Sequence, residues 1–381
     1  VTTGGEQTEG SFGKEATGRV LQVGRTAPIR TIAEAARLAR DGDIVEIQAG
    51  EYHADVALWH QKKLTIRGVG GNARLFADGQ SAEDKAIWVI RNGDFEIANI
   101  DFIGARVYDR NGAGIRFENG RLRIRNCLFW GNESGILSTG GKDQKDASIE
   151  IENSEFAYNG AGDGQSHHLY VGTMGSLKVR GSYFHHANVG HLIKSRARIN
   201  EIAYNRLTDE SGGRASYELE FPNGGVAHVI GNVFQQGRET ENSTLISYGA
   251  EKYIWPNNGL YLSSNTLIND HPNGGAFLRV EPGAAKIVST NNLLIGRGRY
   301  HVPNNLESIN DIHAGWEIFS QASRHDYRLN DAGRRLAFHP IRSDLSEGKD
   351  LNQKYEYLHP RQVKALGGNL AFPGAIQTTD R

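Results

Sequence analysis

The chain has 381 residues and a formal net charge of -1 at pH 7, so no overall field attracts nucleic acid or an anionic membrane. Its 47 glycines indicate many turns, and its single cysteine, Cys127, excludes an internal disulfide framework. No run of about 18 apolar residues is present, which argues against a transmembrane helix. We therefore expect no nucleic-acid partner and no membrane insertion.

Residues 1–18 are predicted to form a flexible leader. Such a leader fits the start of a mature chain after an export signal has been cleaved. We therefore expect a bacterial protein that is periplasmic or secreted, after removal of a signal peptide that is not present in this chain. We also expect a monomer.

The clearest helix is predicted over residues 30–39, because its apolar residues recur on one face. Three segments with alternating apolar and polar residues follow it and indicate short strands, at 44–47, 50–52 and 64–68. One amphipathic helix before a series of strands suits a solenoid, because the open apolar end of the first coil must be capped.

A repeat of 24 to 33 residues runs through the middle of the chain. Each unit has a strand, an asparagine turn and a second apolar pair, and the turn asparagines are Asn99, Asn126, Asn153, Asn205, Asn232, Asn265 and Asn292, with Gly181 between the third and the fourth. Asparagine tolerates left-handed backbone geometry, and its amide can bond the equivalent asparagine one coil away. Leucine-rich horseshoes and propellers have other repeat patterns.

The predicted fold class is therefore all-β, a single-stranded parallel β-helix of about ten coils with an N-terminal capping helix and an irregular C-terminal tail; the resemblance described below implies that the β-helix is right-handed. About ten coils of ~4.8 Å give a rod on the order of 45 Å. We assign 1–18 to the leader, 19–300 to the β-helix and 301–381 to a tail that packs on it. Insertions are predicted as loops beside a groove, at 140–146, 159–164, 209–213 and 249–258.

Three similar segments in the middle of the chain are predicted to be adjacent rungs: 166–172, 190–197 and 215–222. The first two are rich in His, Lys and Arg, and the third has two Glu. Stacked coils would bring these side chains into one open groove, although they are 23 to 50 residues apart in sequence. His168 and His191, 23 residues apart, are expected at equivalent outward places on adjacent coils, roughly 5 Å from each other.

The chain resembles the pectate-lyase type of right-handed β-helix in its opening helix and strands, in its Asn-ended repeats and in its ending around Asp326-Tyr327-Arg328-Leu329. A narrower resemblance lies at Leu192-Ile193-Lys194-Ser195, which is similar to the strand of the catalytic lysine in lyases of the alginate lyase and chondroitinase B type. This resemblance implies cleavage of an acidic glycan by β-elimination, with Lys194 as the base. It also admits calcium as a cofactor.

The sequence departs from that pattern in two places. The family has an arginine on the coil after the lysine, where this chain has Glu218-Leu219-Glu220. The acidic calcium ligands that precede the lysine in the family have no match, because Ala187-Asn188-Val189 stand there. No other cofactor is predicted, and metal ligands remain unassigned.

The residue chemistry of the groove suits removal of the C5 proton of a uronate by a neutral base. Nearby Arg196 and Arg198 are expected to lower the pKa of Lys194 by like charge. We predict catalytic roles for Lys194 as base, Arg196 as carboxylate ligand, His168 or His191 as proton donor or second base, and Glu218 as the orienting group. We predict substrate contacts from Tyr170, Arg198, Tyr217, Glu220, Tyr248 and Arg116.

Other interpretations of the same residues stay open. Lys194 and Arg196 would also suit a solvated face, and the histidines would suit a stack of polar residues bonded to loop backbone. Glu218 and Glu220 alternate on one strand and are expected to face the same way, and this pair, or Asp163, would suit a glycoside hydrolase. A non-catalytic carbohydrate-binding surface protein would use the same scaffold. In each case the expected partner is a polysaccharide.

Overall fold

A computed structural model describes residues 18–141, 144–341, 348–367 and 370–378. The predicted leader lies outside the described residues apart from Gly18. The chain is almost entirely β and forms a parallel solenoid of about ten coils with one short α-helix, which confirms the predicted fold class. No helix in the described ranges is long and apolar enough to cross a membrane.

The helix, α1, spans Ile32–Leu38 and is shorter than predicted. It begins after Thr31, whose hydroxyl accepts the backbone N–H of Glu34 at 3.1 Å. The carboxylate of Asp55 accepts two further free N–H groups, those of Ile32 and Ala33. Polar groups therefore satisfy the first turn while the apolar face of the helix packs against the first coil.

Strands are numbered β1 to β35 in chain order. Ten of them form one parallel sheet, here called the face sheet: β3 Ala57–Trp59, β5 Ala86–Ile90, β8 Ala113–Phe117, β11 Ser134–Ser138, β14 Leu169–Val171, β17 His191–Ser195, β20 Tyr217–Phe221, β23 Thr244–Tyr248, β26 Ala276–Val280 and β29 Arg299–His301.

A 21-stranded sheet, here called the back sheet, closes each coil with two consecutive arms. Two long strands, β2 Ile44–His53 and β4 Lys63–Phe76, each run through both arms of their coil. The other first arms are β1 Val20–Val23, β6 Gly93–Ala98, β9 Gly120–Arg125, β12 Ser148–Glu152, β15 Ser176–Arg180, β18 Ile199–Ala203, β21 Val226–Ile230, β24 Gly259–Ser263, β27 Lys286–Thr290 and β30 Leu306–Ile309. The second arms are β7 Ile100–Ile103, β10 Leu128–Trp130, β13 Glu155–Ala157, β16 Tyr183–His185, β19 Arg206–Thr208, β22 Val233–Gln236, β25 Thr266–Asn269, β28 Leu293–Gly296 and β31 Ile312–Ala314.

Equivalent side chains stack inside the coils. The rings of Phe102, Phe129, Phe156 and Phe184 form a continuous stack with centroids 4.5–5.0 Å apart. These rings are fully buried, and each lies at the same position of the second back-sheet arm. Parallel register thus turns one apolar position of the repeat into a column of the core.

The predicted asparagine column is two columns in the structure. Asn99, Asn126 and Asn153 occupy the left-handed turn position, with φ between 48° and 59°. The later asparagines lie one residue further on, where they are buried and form a ladder. Asn232 shows the pattern: its Oδ1 accepts the amide of Asn205 at 3.0 Å and its Nδ2 donates to Asn265 Oδ1 at 3.0 Å. Ladder bonds satisfy polar groups that face the interior.

Parallel pairing continues to Ala314 at the end of β31. After β31, the described residues form two antiparallel pairs, β32 Phe319–Gln321 with β33 Asp326–Leu329 and β34 Tyr355–Leu358 with β35 Gln362–Ala365, together with short 3₁₀ turns at Trp316–Ile318, Ala322–Arg324 and Gly333–Arg335. Leu351 and Tyr355 pack against Tyr204 and Ile230 of the back sheet. Arg361 also lies 3.8 Å from Glu155 of that sheet. These contacts involve the back sheet rather than the face sheet.

Candidate active site

One outward column of the face sheet brings predicted site residues together. Tyr170 of β14 pairs with Lys194 of β17, and Lys194 pairs with Glu220 of β20. Each step between coils is about 4.8 Å, so these three side chains are direct neighbours. Arg116 stands in the same column two coils before Tyr170, with Leu137 between them.

Lys194 is held between two carboxylates. Its Nζ lies 3.1 Å from Glu220 Oε2 and 2.8 Å from Glu251 Oε1, and only 12% of its side chain is exposed. Burial acts to lower the pKa of Lys194, but the two carboxylates outweigh it and raise that pKa above 10.5. The predicted lowering is wrong, because the nearest charges are Glu220 and Glu251 rather than arginines.

Arg196 is fixed by three partners beside Lys194. Its Nε donates to the Tyr170 hydroxyl at 3.0 Å, its Nη2 lies 2.6 Å from Glu251 Oε2, and its Nη1 donates to Asn223 Oδ1. Glu251 therefore bridges two cations with its two oxygens. Because Glu251 lies in the insertion at 249–258, the loop reaches over the groove.

His191 lies on the other side of Glu220. Its Nε2 is 2.8 Å from Glu220 Oε2, and its ring packs against those of His167 and Tyr217 at centroid distances of 4.5 and 4.9 Å. Burial lowers the pKa of His191 below 6.5 and outweighs the opposing effect of Glu220. His191 is therefore mostly neutral at pH 7.

His168 does not face the groove, so the predicted outward pair of His168 and His191 is wrong. The register places Tyr170 against Lys194, which sets His167 rather than His168 beside His191. The His168 ring is fully buried, with Nδ1 3.2 Å from Asn159 Nδ2 and Nε2 2.8 Å from the carbonyl oxygen of His185. This burial lowers the pKa of His168 to about 3.

Glu218 is also inside the coil, so the expectation that it faces the same way as Glu220 is wrong. It lies level with the core residues Leu192 and Leu245 on the neighbouring strands. Neither of its oxygens has a hydrogen-bond partner within the described parts of the chain. Burial, with a further contribution from the charge of Asp209, raises the pKa of Glu218 well above 4.5. A neutral carboxyl in this place cannot orient the outward cluster.

Tyr248 is a core residue and cannot contact a substrate in the groove. It is fully buried, its hydroxyl donates to the carbonyl oxygen of Gly225, and its ring packs on Phe221. Arg198 is exposed in the turn that leads from β17 into β18. Asp163 lies 3.6 Å from Arg110 of another loop, whereas the carboxylates that contact Lys194 are those of Glu220 and Glu251.

Arg116 is an outlying member of the groove. Its Nε is buried and has no hydrogen-bond partner in the ranges that the structure describes. Burial lowers the pKa of its guanidinium, and the nearby charges of Glu118 and the Tyr170 hydroxyl oppose this effect. Arg116 therefore adds a largely buried positive charge to the groove wall, two coils before Tyr170.

Two residues that contact Lys194 or Arg196, namely Asn223 and Glu251, were not predicted from the sequence. Asn223 directly follows the third predicted rung, so extending that rung by one residue would have found it. Glu251 carries no repeat signal, and its position depends on the fold of its loop. In the described ranges no group of three or more His, Cys, Asp or Glu side chains could hold a metal ion. Calcium stays a prediction.

No family model matches the chain. Its structure is similar to a solved structure described as the crystal structure of pectate lyase Pel9A, with a TM-score of 0.55 and 13% sequence identity. The match covers 90% of this chain and 98% of that one. The fold is a pectate-lyase-type β-helix. At this identity the likeness concerns the fold alone.

Proposed function

We propose that this protein is a polysaccharide lyase that cleaves a uronate-containing glycan by β-elimination on the face sheet. The observation that carries the proposal is the carboxylate of Glu251, which is shared between Lys194 Nζ at 2.8 Å and Arg196 Nη2 at 2.6 Å. Its side chain is 44% exposed and comes from a loop. A substrate carboxylate that replaced it would meet the same two cations.

Neutralising that carboxylate is the central need of the reaction. Loss of the C5 proton places negative charge next to the uronate carboxylate, and fixed cations stabilise this charge in the transition state. An arginine can bind a carboxylate through two parallel N–H groups, and Lys194 adds a second positive charge. The raised pKa of Lys194 suits this role, since it keeps the ammonium group charged.

The raised pKa of Lys194 argues against Lys194 as the base. Even at its ordinary pKa of 10.5, deprotonating a lysine at pH 7 costs about 5 kcal/mol. His191 is already neutral, and Glu220 at 2.8 Å would stabilise the imidazolium that forms. We therefore assign proton removal to His191. Its ring is nearly enclosed, so binding of the polymer must shift the neighbouring ring of Tyr217 or the side chain of Lys194.

Tyr170 is placed to protonate the leaving oxygen. Its hydroxyl oxygen accepts a hydrogen bond from Arg196 Nε at 3.0 Å, which leaves its own proton free to point into the groove. The electron pair of the broken C5–H bond then forms the C4–C5 double bond, and the C4–O bond breaks as Tyr170 supplies the proton. His191 and Tyr170 would return to their resting states by exchange with water.

A glycoside hydrolase fits this geometry less well. Glu220 and Glu251 contact the same Lys194 nitrogen at 3.1 and 2.8 Å, so these two oxygens are at most 5.9 Å apart, a limit that admits a retaining pair but not the wider inverting pair. However, the pKa of each carboxyl is lowered, because the hydrogen bonds and charges of its neighbours together exceed the effect of burial. Neither would supply the protonated acid that hydrolysis needs.

Product analysis tests the proposed function. Purified protein is incubated with polygalacturonate, alginate, hyaluronate and chondroitin, with and without chelator, and absorbance is followed at about 235 nm, where an unsaturated uronate absorbs. A rise in absorbance on at least one polymer supports the lyase. New reducing ends without that absorbance would support a hydrolase, and binding without cleavage of any polymer would support a carbohydrate-binding surface protein.

A further inference from the structure

A basic cleft lies on the face sheet at its C-terminal end, away from the proposed site. Its volume is about 1190 Å³, and its wall includes Arg279, Arg297 and Arg299 together with His271 and His301. Glu281 is the only carboxylate among its described lining residues. The cleft thus concentrates positive charge in a chain whose net charge is close to zero.

The cleft continues the column that contains Lys194. Arg279 of β26 follows Lys194, Glu220 and Ser247 in register along successive strands. Three steps of about 4.8 Å separate Lys194 from Arg279, or ~14 Å along the rod. A ligand that ran along the face sheet would therefore pass from the proposed site into the cleft.

The loop at 249–258 borders the path between the two places. In this loop Glu251 contacts Lys194 at 2.8 Å. Two residues further on, the hydroxyl of Tyr253 donates to the carbonyl oxygen of Glu281, a residue of the cleft wall, at 2.6 Å. One loop therefore forms a side wall shared by the site and the cleft.

The cleft has the chemistry and size for an acidic polymer. Arg279 and Arg299 are exposed, and their contacts with Glu281 and His301 each involve Nε, at 2.8 and 3.1 Å. The terminal N–H groups of a guanidinium ion whose Nε is already bonded can still bind carboxylate or sulfate oxygens through charge-assisted hydrogen bonds. The volume exceeds the roughly 300–1,000 Å³ of ordinary small-molecule sites, which favours an extended chain.

We propose that this cleft binds acidic groups of the polymer several sugar units from the cleaved bond. The inference rests on the proposed function for the identity of the polymer, and it deepens that function. It implies a substrate that is charged on successive units and long enough to reach both places. Oligomers that reach the Arg279 coil would bind more tightly than those that occupy the Lys194 coil alone, because they gain additional ion pairs.

Affinity electrophoresis at low salt in gels that contain polygalacturonate, alginate or heparin tests the cleft by binding alone. The wild-type protein is compared with the double variant Arg279→Gln, Arg299→Gln. The control is Arg121→Gln, Arg123→Gln, which removes two exposed charges from the back sheet. We expect at least one polymer to retard the wild type and the control, and the cleft variant to bind that polymer at least about tenfold more weakly.

Fragments of the retained polymer with three and with eight units then test the reach of the cleft. The cleft variant should lose affinity for the eight-unit fragment and bind the three-unit fragment as the wild type does. Equal retardation of wild type and cleft variant, or no retardation in any of the three gels, would overturn the inference. Binding lost in the cleft variant while no polymer is cleaved would overturn the proposed lyase and leave the cleft standing.

Discussion

The Glu251 carboxylate and the Lys194 ammonium group lie 2.8 Å apart, although 57 residues separate them in sequence. Glu251 comes from a loop, whereas Lys194 is on a strand of the face sheet. The second carboxylate oxygen of Glu251 lies 2.6 Å from Arg196 Nη2. Under the proposed function this loop carboxylate occupies the place of the substrate carboxylate, so it competes with the substrate.

Replacing Glu251 by glutamine should strengthen substrate binding. The amide is a weaker ligand for Lys194 and Arg196 than the carboxylate, so the substrate displaces it more easily. We expect KM to fall by about 3- to 10-fold with little change in kcat, measured on the polymer found in the product assay. Glu239→Gln, an exposed change in a neighbouring loop, is the control. A higher KM would mean that Glu251 positions the cations instead of blocking them.

The dependence of kcat/KM on pH should separate the two candidate bases. His191 accepts a proton only when neutral, and its pKa lies below 6.5, so activity should rise through that acidic range and reach a plateau by neutral pH. If Lys194 were the base, activity would instead keep rising towards pH 10.5 and beyond, because its pKa is raised. A profile that is still rising steeply at pH 9 would contradict the assignment of His191.

Glu218 should make the fold less stable as pH rises. Its pKa in the folded state is raised above 4.5, so the folded chain holds this proton more tightly than the unfolded chain does. The resulting stability is fully present below pH 4.5 and is lost as pH increases towards the raised pKa. Glu218→Gln should therefore gain about 1–3 kcal/mol of unfolding free energy at pH 8 and nearly nothing at pH 4.

Glu220 is the matched control for that experiment, because it lies two residues away and its pKa is lowered. Its stabilising effect is present above pH 4.5 and is lost as pH falls through the lowered pKa. Glu220→Gln should consequently cost stability at pH 8, the opposite sign to Glu218→Gln. Denaturant unfolding at the two pH values measures both. A loss of stability in Glu218→Gln at pH 8 would show that this carboxyl is charged and paired.

The two asparagine columns should respond differently to mutation. Asn232→Ala removes a buried amide that bonds Asn205, Asn265 and the carbonyl oxygen of Ile202, and we expect a cost of about 3 kcal/mol or more. Asn153 instead occupies a left-handed turn with φ of 48°, which glycine adopts without strain. Asn153→Gly should cost less than about 1 kcal/mol in the same unfolding assay. Equal costs would contradict the division into two columns.

The sequence predicted that the rungs of Tyr170, Lys194 and Glu220 are adjacent, because parallel register carries one position of the repeat from coil to coil. It did not predict which of two consecutive histidines faces outward. Equivalent residues of β14 and β17 are 24 positions apart, which places His167 beside His191, whereas a spacing of 23 would place His168 there. Coils differ in length because their turns differ, and a difference of one residue in a turn decides which face of the strand a side chain occupies.

Simple alternation also failed at the start of the face-sheet strands. Leu192 and Ile193 are consecutive, yet both belong to the core, so the usual reversal of side-chain direction does not hold there. Glu218 lies at the level of Leu192 and is buried for that reason. Glu251 could not be predicted because the conformation of its loop depends on contacts such as that of Trp255 Nε1 with the carbonyl oxygen of Arg196.

The roles of Lys194 and Arg196 in the proposed mechanism are tested by measuring the initial rate of unsaturated-product formation in Lys194→Ala and Arg196→Ala. Arg121→Gln is the control. Each of the two cluster variants should lower kcat/KM by about 10²- to 10³-fold, the usual cost of removing one group that stabilises a developing anion. The control should retain the wild-type rate, and circular dichroism should show that all variants are folded. A folded Lys194→Ala protein with full activity would contradict the proposed mechanism.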